Sequence, residues 1–320
     1  MTRSEIQQVV ETNDGLYLLF IDYEEGDIAS AIGHVYRTSG DRDEVPPTQM
    51  LATSDTLRAM WASPNGSLWV GSADGNVGTT AKVNWQRPPN GADYKTLGDS
   101  APWTATELPA LRSNGLPPNI GILWGTDNDD VYASAYGGHI YHWDGGAWAQ
   151  VYESPPDGMA GIGAFGGTGA KDVFAVGSER MLLHFDGTRW RPLELPPPVR
   201  PHEVLTGVHS LASGEIFISS SISGEEGRLL HGSADGFTEF ARSNMQLIAM
   251  APLGERLLFA TGDGVAELIG REIRMIKSTF ATSGLFPGNG RVFFLEPAPD
   301  RPSYVEYDPR QETPWWGMEF

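Results

Sequence analysis

The sequence contains no cysteine. That excludes disulfides and thiolate metal sites, and it fits a cytoplasmic chain. Long apolar runs are missing too: no stretch approaches the roughly 20 apolar residues of a membrane span. Arg3, Glu5, Gln7 and Gln8 interrupt the first ten residues, so the start lacks the continuous apolar core of a secretion signal. Basic residues are scarce, with 22 Lys and Arg against 41 Asp and Glu and a net charge of −19. Nucleic acids and anionic membranes are therefore poor partners, because both are held largely by Lys and Arg on phosphate. The same charge confers solubility without any partner. Catalytic signatures are absent as well: no phosphate-cradling glycine loop opens a helix, and there is no nucleophile elbow or two-histidine metal motif. No catalytic residue, metal site or cofactor is assigned.

What the chain has in quantity is punctuation. Its 39 Gly and 23 Pro separate short apolar runs, the composition of an all-β protein. The punctuation repeats. Asp130-Val131-Tyr132-Ala133 aligns with Asp172-Val173-Phe174-Ala175, and the same register pairs Gly125-Thr126 with Gly167-Thr168, His142 with His184, Asp144-Gly145 with Asp186-Gly187, and Trp148 with Trp190. A unit of four short strands, a to d, accounts for the pattern. In one copy strand a begins at Ile120, b at Val131, c at His139 and d at Trp148. The Asp144-Gly145 pair supplies a hairpin turn, and Pro155-Pro156 releases the chain.

Weaker copies place strand a onsets near Glu5, Leu57, Ile120, Gly161, Leu205, Gln246 and Thr282. Four strands per period of roughly 40–50 residues predict a seven-bladed β-propeller of four-stranded antiparallel blades. It is expected to be one domain over 1–320, with blades at 1–54, 55–118, 119–158, 159–203, 204–244, 245–280 and 281–320. Residues 86–101 are expected as an insertion between strands c and d of the second blade.

The segment Asn65-Gly66-Ser67-Leu68-Trp69-Val70-Gly71-Ser72-Ala73-Asp74-Gly75 resembles the repeat of bacterial two-component-regulator-type propellers. The run from Trp124-Gly125 to Trp148 is similar to WD40-like propeller repeats of bacterial proteins. This resemblance implies a fold and not a function, because propellers host unrelated activities.

Histidine is where a catalytic claim would begin. His142, His184 and His231 share one strand c position, however, and His34 and His139 share another. A residue repeated in several blades serves the blade, so cross-strand hydrogen bonding is expected. Trp148 and Trp190 are expected as structural wedges. Asp127-Asn128-Asp129-Asp130 lacks the Gly and the downstream Glu of a calcium loop and reads as a turn. His209, with register counterparts Trp61 and Trp124, falls on strand a, which lines a propeller's channel. These three could meet a ligand there, or simply plug the channel.

Loops remain as the place for binding. In a propeller the b–c and d–a loops share one face, and here the b–c loops are acidic: Asp22, Glu24, Glu25, Asp27, Asp74, Glu225, Glu226 and Asp263. Arg180, Arg228 and Arg301 offset part of this charge. The expectation is a monomeric, non-enzymatic, protein-binding propeller whose acidic face receives a basic protein partner. One form of it is an inhibitor or immunity protein that neutralises a basic toxin of the same cell. The alternatives are a lyase- or glycosidase-like enzyme or small-molecule binder at the channel mouth, and a sensor or assembly scaffold.

Overall fold

The computed structural model describes residues 2–40, 42, 46–85, 89, 91–155, 161–198, 200, 202–211, 213–222, 226–297 and 301–320, with the backbone alone at 28–30. Among them there is no helix, and the strands form seven antiparallel sheets. The first holds Thr2–Thr12, Gly15–Glu24, Asp27–Thr38 and Thr48–Ala52, and the second Leu57–Ala62, Leu68–Ser72, Asn76–Thr79 and Thr104–Glu107. Ile120–Asp127, Asp130–Ala135, His139–Trp143 and Trp148–Tyr152 make the third. The fourth consists of Ile162–Gly169, Asp172–Gly177, Leu182–Phe185 and Trp190–Pro192. Glu203–Ser210, Ile216–Ile222, Glu226–Ser233 and Gly236–Ser243 form the fifth. Ala249–Leu253, Arg256–Thr261, Gly264–Ile269 and Glu272–Lys277 form the sixth. The seventh takes Gly284–Pro287, Val292–Leu295, Ser303–Tyr307 and Trp315–Glu319. This is the seven-bladed β-propeller that the repeat predicts.

By contacts the chain divides into two compact units, Met1–Glu153 with Ala298–Phe320, and Ser154–Pro297. In the first unit, Leu19, Val35, Leu51, Leu57, Met60 and Val70 form a core between the first and second sheets. Trp69, Val77, Leu123, Val131, Tyr141 and Trp143 form another between the second and third. The second unit repeats the scheme, and one strand shows why its sequence is continuously apolar. Ile216 and Ile218 enter the core shared with Phe174 and Leu205, while Phe217 enters the core shared with Leu257 and Phe259. Successive side chains point to opposite faces, so a strand covered on both faces needs apolar residues at every position.

The inserted segment attaches to the first two sheets. Lys95–Thr96 pairs with Leu51 and Ala52 as a fifth strand of the first sheet. Tyr94 lies over Gly78, where a Cβ would come within 2.5 Å of its ring. Residues 86–88 and 90 lie outside the described set.

Candidate functional site

The repeated histidines do the cross-strand work expected of them. His142 Nε2 lies 2.6 Å from Asp130 Oδ1 and stacks on Tyr132, while Thr126 Oγ1 donates to the same carboxylate. In the next sheet His184 Nε2 lies 2.7 Å from Asp172 Oδ1, against Phe174, and Thr168 Oγ1 donates to Asp172. His231 faces Glu215 at 3.5 Å and packs on Phe217. The other pair uses glutamine: Gln49 Nε2 meets His34 Nδ1 at 2.8 Å, and Gln150 Nε2 meets His139 Nδ1 at 3.4 Å. Asp130 is held in this network by both His142 and Thr126. Among the described residues no group of three or more His, Asp or Glu side chains could hold a metal ion.

The acidic loop residues sort by partner. In the first unit the hairpin of Gly15–Glu24 and Asp27–Thr38 carries four of them at or near its tip. Asp22 accepts from Ser4 Oγ at 2.6 Å and lies 3.1 Å from His34 Nε2. Thr2 Oγ1 donates to Glu24 at 2.8 Å, and this bond first of all holds the Glu24 carboxyl below its usual value. Arg3 Nη2 donates to Glu25 at 2.5 Å. Asp27 is exposed, opposite Glu24. Asp74, exposed in the Asp74-Gly75 turn, has no cationic partner among the described residues.

In the second unit Glu226 takes a 2.7 Å bond from Arg200. Asp263 is exposed, with no cationic partner among the described residues. Glu225 lies outside them. Arg228 corrects the sequence reading: it does not offset loop charge at the surface. It is fully buried, with Nε and Nη2 donating to the equally buried Glu203 at 2.6 and 2.7 Å.

Three segments of the first unit meet around Asp74. The Gly33 and Ala73 amides donate to the carbonyls of Asp55 and Thr56 at 2.9 Å each, and the Tyr136 amide donates to Asn119 O at 2.8 Å. Between these segments opens a concavity of about 570 Å³, lined by Asp55, Asp74, Leu116, Pro117 and Asn119 among others. Asp55 is 4% exposed. Asn76 Nδ2 and Tyr94 Oη donate to its Oδ2 at 2.9 and 2.8 Å. Burial raises its pKa in spite of these bonds, which pull it down. Leu116, in the concavity's lining, is 60% exposed, and Tyr136, in the next sheet's b–c turn, is 77% exposed. Charge and apolar surface thus lie side by side. Counting acidic residues finds Asp74 but not Leu116 or Tyr136, whose only sequence signal is an apolar residue placed inside a turn.

The three strand a residues are placed as follows. Trp61 is half-buried against the core of the first unit, its ring 3.0 Å from where a Cβ on Gly125 would lie. Trp124 is half-buried with its ring 6.1 Å from Tyr132. His209, in the second unit, is half-buried opposite Phe217, and burial lowers its pKa.

No family model matches this sequence, and a search of curated proteins finds no match. Solved structures do resemble it. The WD40 β-propeller domain of Doa1 superposes with a TM-score of 0.59 at 10% identity over 92% of each chain. YCF48 bound to D1 peptide gives 0.56 at 14% identity, over 84% of this chain and 83% of that one. The extracellular domain of a hybrid two-component system from B. thetaiotaomicron gives 0.56 at 11% identity, over 98% of this chain and 46% of that one. At such identities the likeness establishes the propeller fold.

Proposed function

We propose that this chain is a protein-interaction propeller whose first unit docks a basic protein segment in the concavity beside Asp74. The observation that carries this is the exposure of Leu116 and Tyr136 on neighbouring segments, where the Tyr136 amide donates to Asn119 O three residues past Leu116. Large apolar groups held in the open on a rigid scaffold suit a covering partner. An apolar anchor ringed by polar groups has the anatomy of a binding hot spot. Asp74 and the acidic hairpin tip supply a negative field that speeds encounter with a cationic partner. YCF48, one of the similar propellers, has a D1 peptide bound, which supports a peptide-docking use here. The finer form of the proposal is a monomeric cytoplasmic inhibitor, neutralising a basic toxin of its own cell.

The test is kinetic, on the partner that co-purifies with the chain from its native host. Leu116→Asp with Tyr136→Ala should weaken binding about tenfold or more, the scale of a hot-spot loss. Asp74→Lys should mainly slow association. Asp129→Lys with Glu255→Lys, on a–b turns, should change neither. If that control pair abolishes binding while the first pair leaves it intact, the docking face is misassigned.

A further inference from the structure

The inserted segment reaches the docking concavity. Gly91 lines the opening together with Ser54, Asp55 and Asp74. Tyr94, three residues further on, is not one of the described lining residues, yet its hydroxyl donates to Asp55 Oδ2 at 2.8 Å. Asp55 is a fixed point between two sheets. Its carbonyl accepts the Gly33 amide of the first sheet at 2.9 Å, and its carboxylate takes a 2.9 Å bond from Asn76 Nδ2 of the second. Beyond Tyr94 the segment is tied down again. Lys95–Thr96 pairs with the first sheet, the Leu97 amide donates to Met50 O at 3.0 Å, and Thr96 Oγ1 accepts from the Trp103 amide at 2.8 Å.

Packing accounts for the Tyr94 ring, which joins the core between the first two sheets and lies over Gly78, a residue without a Cβ to obstruct it. A phenylalanine would fill the same space. The hydroxyl is what packing leaves over. Burying a carboxylate and a phenol together carries a desolvation penalty, and an apolar pair of like size is often as stable or more so. What the bond from Tyr94 to Asp55 adds is direction, since it ties the chain near Gly91 to a second residue of the lining. We propose that Tyr94 is the positioning residue of the docking site: through its bond to Asp55 it holds the inserted segment as a wall of the concavity and so sets affinity for the basic partner. This rests on the docking reading above. A wall in place for only part of the time lowers apparent affinity in proportion.

The sequence has no cysteine, so thiols introduced at the exposed Asp93 and Asp129 take spin labels at those two sites alone. Their separation, measured by pulsed electron paramagnetic resonance on the full chain, reads the wall without any partner. The parent chain should give one narrow distance distribution. Tyr94→Phe keeps the ring and removes the hydroxyl, and it should broaden or shift that distribution. Gly78→Ala keeps the hydroxyl but brings a Cβ within 2.5 Å of the ring, and it should do the same. Unlabelled chains are then compared for binding the partner that co-purifies from the native host, with Leu116→Asp as the reference for the docking site. Both wall variants should bind roughly tenfold more weakly. The proposal is overturned if the label distances in either variant match the parent chain. It is overturned equally if they change while affinity holds and Leu116→Asp still binds weakly. If Leu116→Asp binds as the parent chain does, it is the docking reading that has failed, and the proposal falls with it.

Discussion

Arg228 and Glu203 show how one residue pair can be misjudged from its neighbours in sequence. Arg228 follows an acidic loop, yet its guanidinium is fully buried on Glu203, and Ser220 Oγ donates to the same carboxylate at 2.7 Å. Removing one partner of a buried pair strands the other charge, so Arg228→Met should lower unfolding free energy by about 3–5 kcal/mol. Adding Glu203→Gln to that variant should restore much of the loss, since the stranded charge is gone. Urea denaturation of the single and double variants checks both expectations.

Asp55 makes a pH prediction of definite sign. Its folded pKa is raised by burial, so its contribution to stability is fully present below the ordinary aspartate range and is lost as pH rises through the raised value. The Asn76 and Tyr94 donors both fall on one oxygen, Oδ2, so an asparagine with its carbonyl there keeps these two bonds. Asp55→Asn should therefore remove this decline, seen as a flatter plot of urea midpoint against pH from about 3 to about 7.

At the scale of the element, the Asp-Gly turns govern the hairpins. Asp144 Oδ1 accepts from the Gly146 and Ala147 amides at 2.9 Å each. Asp186 accepts from the Thr188 hydroxyl and from the Thr188 and Arg189 amides, and these bonds depress its pKa to about 2. Gly145 has φ +85°, and a Cβ there would come within 2.9 Å of Asp129 Cβ. Gly145→Ala should cost about 1–2 kcal/mol, with thermal and urea unfolding agreeing on the loss. Repeat register located these hairpins because turn chemistry is local. It located strand ends less well. The first strand begins at Thr2 rather than near Glu5, and the sixth sheet at Ala249 rather than near Gln246, because half-exposed polar residues at sheet edges carry no periodic signal.

At the scale of the whole molecule, the charge of −19 acts through encounter rather than through fold. If the partner is basic, raising salt from about 50 to about 500 mM should slow association by roughly tenfold or more and change dissociation far less. Leu116→Ala should do the reverse, because an apolar anchor acts after contact is made. Stopped-flow mixing at several salt concentrations separates the two effects. A salt-independent association rate would contradict the steering role.

The sequence by itself determined the blade number, the four-strand unit and the structural duty of the repeated histidines, because each rests on residues a few positions apart recurring in one register. Only the tertiary structure decided which charges are free to act. It buried Arg228, bound Glu25 to Arg3 and Glu226 to Arg200, and left Asp74 open beside Leu116. Trp85, at the start of the inserted segment, met Trp143 of the next sheet only on folding. Partners so far apart in sequence are chosen by packing between blades, and no local periodicity records that choice.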